Sequence, residues 1–326
     1  MLFLPSNLRR AGQTAKSAAL VLCGMAALAR SQLAGQGAVL AFHGLREDGV
    51  SPGVLDESLH LPISTFSALC KQLAATYHVM PLSEMASVLS SGEKLPPRAV
   101  ALSFDDGYAS NFELGFPVLK KLNLPATIFL ATGFLDGSTP LWFQQVDLAL
   151  KAGGRSAFSE TLARLKKLPN AEMREEVRKM VEAAGESQAP AVTRPMCWDQ
   201  VRAMRDTGLI EFGGHTHTHP ILARCTIEEQ RREIVTCRER IQSELGTAPR
   251  LFAFPNGGPG DCTPETLCLL KEAGFESAWT MISGRATQKG PILHMPRYGA
   301  PESVWETEAT VSGAFELLRK WRGGAV

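Results

Sequence analysis

The chain has 326 residues, 44% of them hydrophobic and 21% charged, enough to bury a full core in one large α/β domain with extensions. A formal net charge of +1 gives no basic surplus for a polyanion, and no basic run is interleaved with aromatics, so a nucleic-acid partner is not expected. The sequence holds no GxxxxGK(S/T) phosphate loop, no paired CxxC motif and no internal repeat.

In chain order, Arg9, Arg10 and Lys16 precede an apolar stretch from Ala18 to Ala29 that ends in Ala27-Leu28-Ala29, an imitation of a signal-peptidase site. The stretch is too short to span a bilayer as a helix. Arg30 follows at once and a strand starts at Ala38, so the expectation is a retained helix that packs on the domain or touches a membrane surface. That places the protein in the cytoplasm or peripherally at the inner membrane; a cleaved signal peptide, and with it a periplasmic location, is the alternative.

Short apolar runs then read as buried strands, each delivering polar residues at its C-terminal end. Ala38–Phe42 runs into His43, and Ala99–Phe104 into Asp105-Asp106-Gly107. Asn111 to Leu122 has helical character despite Pro117, and Ala126–Leu130 is another strand. Residues 151–190, rich in Lys, Arg, Glu and Ala, read as one or two inserted polar helices.

A helix over Trp198–Arg205, ending near Gly208, leads to the strand Leu209–Phe212 and then to Gly213-Gly214-His215. Thr226 and Glu229 form a capping box for a helix that Gly246 closes, and its stripe of Ile227, Ile234, Cys237, Ile241 and Leu245 is core packing. Leu251–Phe254 precedes Pro255-Asn256-Gly257. A helix over Thr263–Ala273, ended by Gly274, and a strand over Glu276–Thr280 complete the strand and helix alternation. Parallel strands so arranged present their C-terminal ends on one face, where α/β enzymes build their sites.

The stretch His215-Thr216-His217-Thr218-His219 carries the most chemistry. Imidazoles four apart in a loop can close on one metal ion, and two of them with one carboxylate leave a coordination position for water. A second carboxylate beside that water can take its proton, so Asp105 and Asp106 divide the roles of ligand and base. In an extended segment His217 shares a side with its neighbours and is not excluded as a ligand by geometry. Asp-Asp-Gly is also an ordinary turn, and a His-rich loop is also an ordinary solvated loop.

These residues resemble the polysaccharide deacetylase (NodB-homology, carbohydrate esterase) family, whose motifs Thr/Ser-Phe-Asp-Asp-Gly and His-Ser/Thr-x-x-His match Ser103–Gly107 and His215–His219. The resemblance runs from about Val39 to about Gly313. It implies a distorted (β/α) barrel of the NodB-homology type, here with an N-terminal helical extension. It further implies that Asp106, His215 and His219 hold a divalent metal, usually zinc but also cobalt, nickel or iron, with Asp105 as general base.

The usual third motif, Arg-x-Pro-Tyr/Phe-Gly, is replaced by Phe254-Pro255-Asn256-Gly257, which looks like the exopolysaccharide branch of the family. This makes the Asn256 backbone the candidate oxyanion donor. His43, in Val39–His43, resembles the Leu-x-Tyr-His general acid of that branch, with His294 as its rival; Arg297 orients Asp105 or contacts sugar. Trp142 and Trp198 are read as core or rim packing rather than sugar platforms.

The expected activity is metal-dependent removal of N-acetyl groups from an N-acetylhexosamine-containing glycan. A noncatalytic carbohydrate-binding protein and a metal-dependent amidase for another C–N bond are the alternatives. The domain scheme is an extension over 1–36, a catalytic domain over 37–313 with the insertion at about 151–190, and a tail over 314–326. Seven scattered cysteines read mostly as buried thiols of a reducing compartment. Oligomeric state is not legible in the sequence.

Overall fold

The computed structural model describes residues 6–185 and 188–323, with side chains from residue 11 onward, so Arg9 and Arg10 lie outside the described side chains. Eight strands form the main sheet: β1 (Ala38–Phe42), β2 (His78–Val79), β3 (Ala99–Phe104), β4 (Ala126–Leu130), β5 (Ile210–Gly214), β6 (Leu251–Ala253), β7 (Ser277–Trp279) and β8 (Tyr298–Gly299). Their order is β8-β1-β3-β4-β5-β6-β7, with β2 beside β3, and every pairing is parallel. Parallel strands covered on both faces need unbroken apolar runs, and β1, β3 and β4 are buried at every position. The sheet curls into a distorted (β/α) barrel. Residues 292–297 carry the chain from β7 towards β8, with Ala278 N donating to Ile292 O and Met295 N to Ala278 O.

Register places the strand ends level. Phe42 faces Phe104, Leu130 faces Gly214, and Gly214 faces Phe252. The residues that follow, His43, Asp105 and His215, therefore leave the sheet at one rim. The segment 111–115 forms a turn of π-helix that runs directly into a helix over Phe116–Leu122, and the widened turn immediately before Pro117 accommodates a residue that has no N–H to donate.

Two helices, α1 (Ser6–Leu22) and α2 (Met25–Gln32), precede the barrel and break at Gly24, which has φ 82°. Helices α3 (Trp142–Ala149), α4 (Gly154–Leu165) and α5 (Asn170–Ala184) pack around a satellite core of Trp142, Val146, Phe158, Leu165, Met173 and Val177. Helix α6 (Ile227–Leu245) has the expected Thr226–Glu229 capping box and a left-handed Gly246. Helices α7 (Val304–Val311) and α8 (Ala314–Trp321) return to the N-terminal pair, and Leu20, Ala26, Ala309 and Ala314 form their shared core.

Two expectations change. Ile227 is exposed while the rest of its stripe is buried, because it is the first helical residue and precedes the turn at which α6 meets the barrel. Only Cys70 and Cys237 are fully buried; Cys23, Cys197 and Cys268 are exposed at helix ends or on outward helical positions, and all seven are free thiols. Trp142 is buried in the satellite core, and the Trp198 indole donates to Asp136 beneath Arg240.

Candidate metal centre and active site

Asp105 is wholly inside the protein. Its backbone N–H donates to Phe42 O at 2.9 Å, fixing it beside the end of β1. Arg297, itself fully buried, donates from Nη1 to Asp105 Oδ1 and from Nη2 to Oδ2, both at 2.7 Å. The same guanidinium reaches Ser103 Oγ at 3.0 Å and Thr280 O at 3.1 Å, so its orientation is set by three elements. Burial works to raise the Asp105 pKa, but the charges of Arg297 and His215 outweigh it and hold the carboxyl below its ordinary value. Of the two sequence roles for Arg297, the geometry supports orienting Asp105, since a fully buried side chain presents no surface to a sugar.

Asp106 faces the other way, towards the histidine loop. His219 Nε2 lies 3.1 Å and His215 Nε2 3.5 Å from Asp106 Oδ1. All three side chains are buried, and their ligand atoms lie within 4.8 Å of one another. Both Asp106 oxygens and His219 Nδ1 are buried without a hydrogen-bond partner, a costly condition for a carboxylate that a bound cation would relieve. The His215 Nδ1 is 2.8 Å from Ala253 O, which selects the tautomer that leaves Nε2 free for an ion. Burial acts to raise the Asp106 pKa, and His219 and His215 more than offset it, leaving the carboxyl well below its usual range.

The backbone is strained where the side chains converge. Asp106, Thr216, His219 and Asn256 have φ values of 73°, 65°, 60° and 61°, in the left-handed region that L-residues avoid. Local hydrogen bonds hold them there. His219 N donates to Thr216 Oγ1 at 3.0 Å, while Asn256 Nδ2 and Gly258 N both donate to Asp261 Oδ2. Asn256 lies three residues beyond Ala253, on the turn that follows the His215 acceptor.

His217 is not with the other imidazoles. Its Nδ1 is 2.8 Å from Thr132 Oγ1, and Gly133 N donates to its carbonyl at 2.7 Å. A Cβ on Gly133 would stand 2.8 Å from that carbonyl oxygen, so the close approach depends on glycine. Because Thr216 and His219 are left-handed, the loop turns at each of them, and the shared side expected of an extended segment is lost.

His43 follows the end of β1 directly after Phe42, whose carbonyl accepts from the Asp105 N–H, so it leaves the sheet beside the aspartate pair. Asn111 Nδ2 fixes its carbonyl at 2.6 Å. His294 packs instead against the Phe254 ring, 6.2 Å between centroids. The geometry therefore favours His43 over His294 as the imidazole that serves the aspartate pair.

Two supports were not apparent in the sequence. Glu233 on α6 accepts from His217 N (2.9 Å), Thr218 N (2.7 Å) and Thr218 Oγ1 (2.7 Å), and Arg174 on α5 donates to Thr218 O (2.7 Å) and Oγ1 (2.6 Å). The available signal was a charged residue, Glu233, next to the apolar stripe of α6. Beside the site lies a cavity of about 990 Å³ walled by the 54–60 loop, Tyr108, Phe143, Gln144, Phe158 and residues near 190. Phe143 joins it to the site, its ring 5.4 Å from that of His219.

A family model described as polysaccharide deacetylase matches residues 92–278, more than half of the chain and the part that holds both motifs. The chain belongs to the polysaccharide deacetylase family. Among its curated relatives, the putative polysaccharide deacetylase YxkH of Bacillus subtilis (strain 168) is 36% identical over 74 residues, covering 22% of this chain and 26% of that protein. The poly-beta-1,6-N-acetyl-D-glucosamine N-deacetylase of Staphylococcus aureus (strain MRSA252) is 21% identical over 238 residues, 71% of this chain and 61% of that one. The chain thus spans less than two thirds of the length of these relatives.

Among solved structures of similar fold, Streptococcus pyogenes deacetylase PplD in complex with acetate has a TM-score of 0.61 at 18% identity, covering 85% of this chain and 98% of that one. IcaB from Ammonifex degensii has a TM-score of 0.57 at 18% identity, with 85% and 97% covered. At such identities the likeness establishes the fold of this family member.

Proposed function

We propose that the chain is a hydrolase that removes N-acetyl groups from an N-acetylglucosamine-containing polysaccharide or oligosaccharide. The observation that carries the reading is the split between adjacent carboxylates: Asp105 is locked to Arg297, whereas Asp106 is left open towards His215 and His219. Membership of the family supports it, as do curated relatives named for deacetylation of poly-beta-1,6-N-acetyl-D-glucosamine.

One carboxylate and two imidazoles suit zinc, and cobalt, nickel or iron in its place. A divalent ion held there would lower the pKa of water and polarise the amide carbonyl. Asp105, kept ionised and oriented by Arg297, accepts the proton of the attacking water. The Asn256 backbone N–H, at the turn beyond β6, would donate to the charge that develops on the carbonyl oxygen. His43 gives a proton to the departing amine. The cavity beside Phe143 offers that partly exposed ring to the rest of the glycan.

The test is acetate release from N-acetylglucosamine oligomers by zinc-loaded protein, beside Asp105→Asn and a chelated control. Loss of the base should lower turnover by roughly 10²- to 10⁴-fold while zinc binding persists. Zinc binding without acetate release from any N-acetylated glycan, with hydrolysis of a non-carbohydrate amide, would move the assignment to a different amidase.

A further inference from the structure

Helix α1 turns an apolar face to solvent. Its exposed positions from residue 11 onward are Ala11, Gly12, Ala15, Lys16, Ala19 and Leu22, with Lys16 the one charge among them, and beyond the helix the exposed residues include Cys23 and, on α2, Ala27 and Leu28. Leu22 is 74% and Leu28 40% exposed. A surface helix of a water-surrounded domain ordinarily shows charged residues on that side. The opposite face is already used: Leu20, Ala26 and Ala29 are buried, and Arg30 pairs with Glu308 on α7, so the helices are a seated part of the fold. No described helix is long and apolar enough to cross a membrane.

Charge is concentrated on the same cap. Residues 1–36 and 302–326, which build this cap, contain seven basic and four acidic side chains, a net +3 that leaves −2 on the rest of a chain of net +1. Of the acids, Glu316 is buried and accepts from the Tyr298 hydroxyl at 2.7 Å, and Glu308 is buried and pairs with Arg30, while Lys16, Arg319, Lys320 and Arg322 are exposed with the half-buried Glu306 among them. The end of α8 reads Arg319-Lys320-Trp321-Arg322, all exposed, with Trp321 60% exposed. Helix α8 packs with α1 and α2, and Lys16 of α1 lies 5.3 Å from the Phe315 ring.

We propose that this helical cap is a docking surface for a bilayer that contains anionic lipid, lying in the interface rather than spanning it. Apolar side chains together with an aromatic and flanking Lys and Arg are what an interfacial helix presents to headgroups and upper acyl chains. The exposed cations beside Trp321 argue for an anionic bilayer over a second copy of the chain, since two such helix ends would repel each other. The inference stands independently of the substrate.

Flotation of the full chain with vesicles tests it, using phosphatidylcholine alone and a phosphatidylcholine/phosphatidylglycerol mixture. The protein should float with the mixed vesicles, bind less at high salt and largely ignore the neutral ones. The double variant Leu22→Ser/Leu28→Ser and the triple variant Arg319→Gln/Lys320→Gln/Arg322→Gln should each weaken binding, the latter by roughly 100-fold at about fivefold per charge. Both change only exposed side chains, and a thermal melt checks folding. Absence of flotation, or flotation unaffected by either variant, overturns the proposal. So does self-association in sedimentation that the apolar variant abolishes while lipid binding stays absent.

Discussion

Asp105 carries a buried charge whose charged hydrogen-bond partner is Arg297, so the pair behaves as a unit. Arg297→Leu strands the carboxylate and should cost about 3–5 kcal/mol of stability by denaturant titration. In the native protein the carboxyl titrates below its ordinary value, so activity that needs it ionised survives into acid. Without the guanidinium the acid limb of the rate profile should move to higher pH, and Arg297→Lys should return part of that shift. At the leaving group, His43→Gln should reduce turnover by roughly 10²-fold or more with zinc affinity kept, while His294→Gln should stay within a few-fold. A reversal of these two results would transfer the acid role to His294. Asp105, Asp106, His215 and His219 were legible because each lies in a short motif at a strand end. Glu233 and Arg174 were not, because their contacts with the histidine loop arise only when α5 and α6 pack on the barrel.

The barrel strands could be read from apolar runs because burial on both faces leaves little room for polar residues. Their level ends depend on register, which no single run discloses. The loop after β5 shows what elements add to motifs: its turns at Thr216 and His219 are held by α6 through Glu233 and by α5 through Arg174. Glu233→Ala removes the acceptor for two loop amides and the Thr218 hydroxyl. It should weaken zinc binding by about 10-fold or more in calorimetric titration while leaving the ligands intact. Unchanged affinity would show that the loop keeps its shape through Arg174, Thr216 and Thr132. Helix α5 falls in the polar stretch that sequence could describe only as inserted helices, since amphipathic spacing reveals which face packs but not which loop it meets.

Over the whole molecule, acid stability should carry the mark of His60, which is buried against Gly44 and lies edge-on to Tyr108. Burial, with a smaller contribution from His43, pushes its pKa from 6.5 down to about 4. Between those values the unfolded chain binds a proton that the folded chain refuses, so stability falls as pH drops through that window. The full difference is about 3 kcal/mol, and His60→Gln should flatten the melting temperature over the same range. The cluster of exposed Arg319, Lys320 and Arg322 at the end of α8 was invisible in a net charge of +1 because composition has no position. The isoelectric point is therefore a poor guide to handling: near neutral pH a cation exchanger should retain the protein by that end, and Arg319→Gln/Lys320→Gln/Arg322→Gln should elute at lower salt.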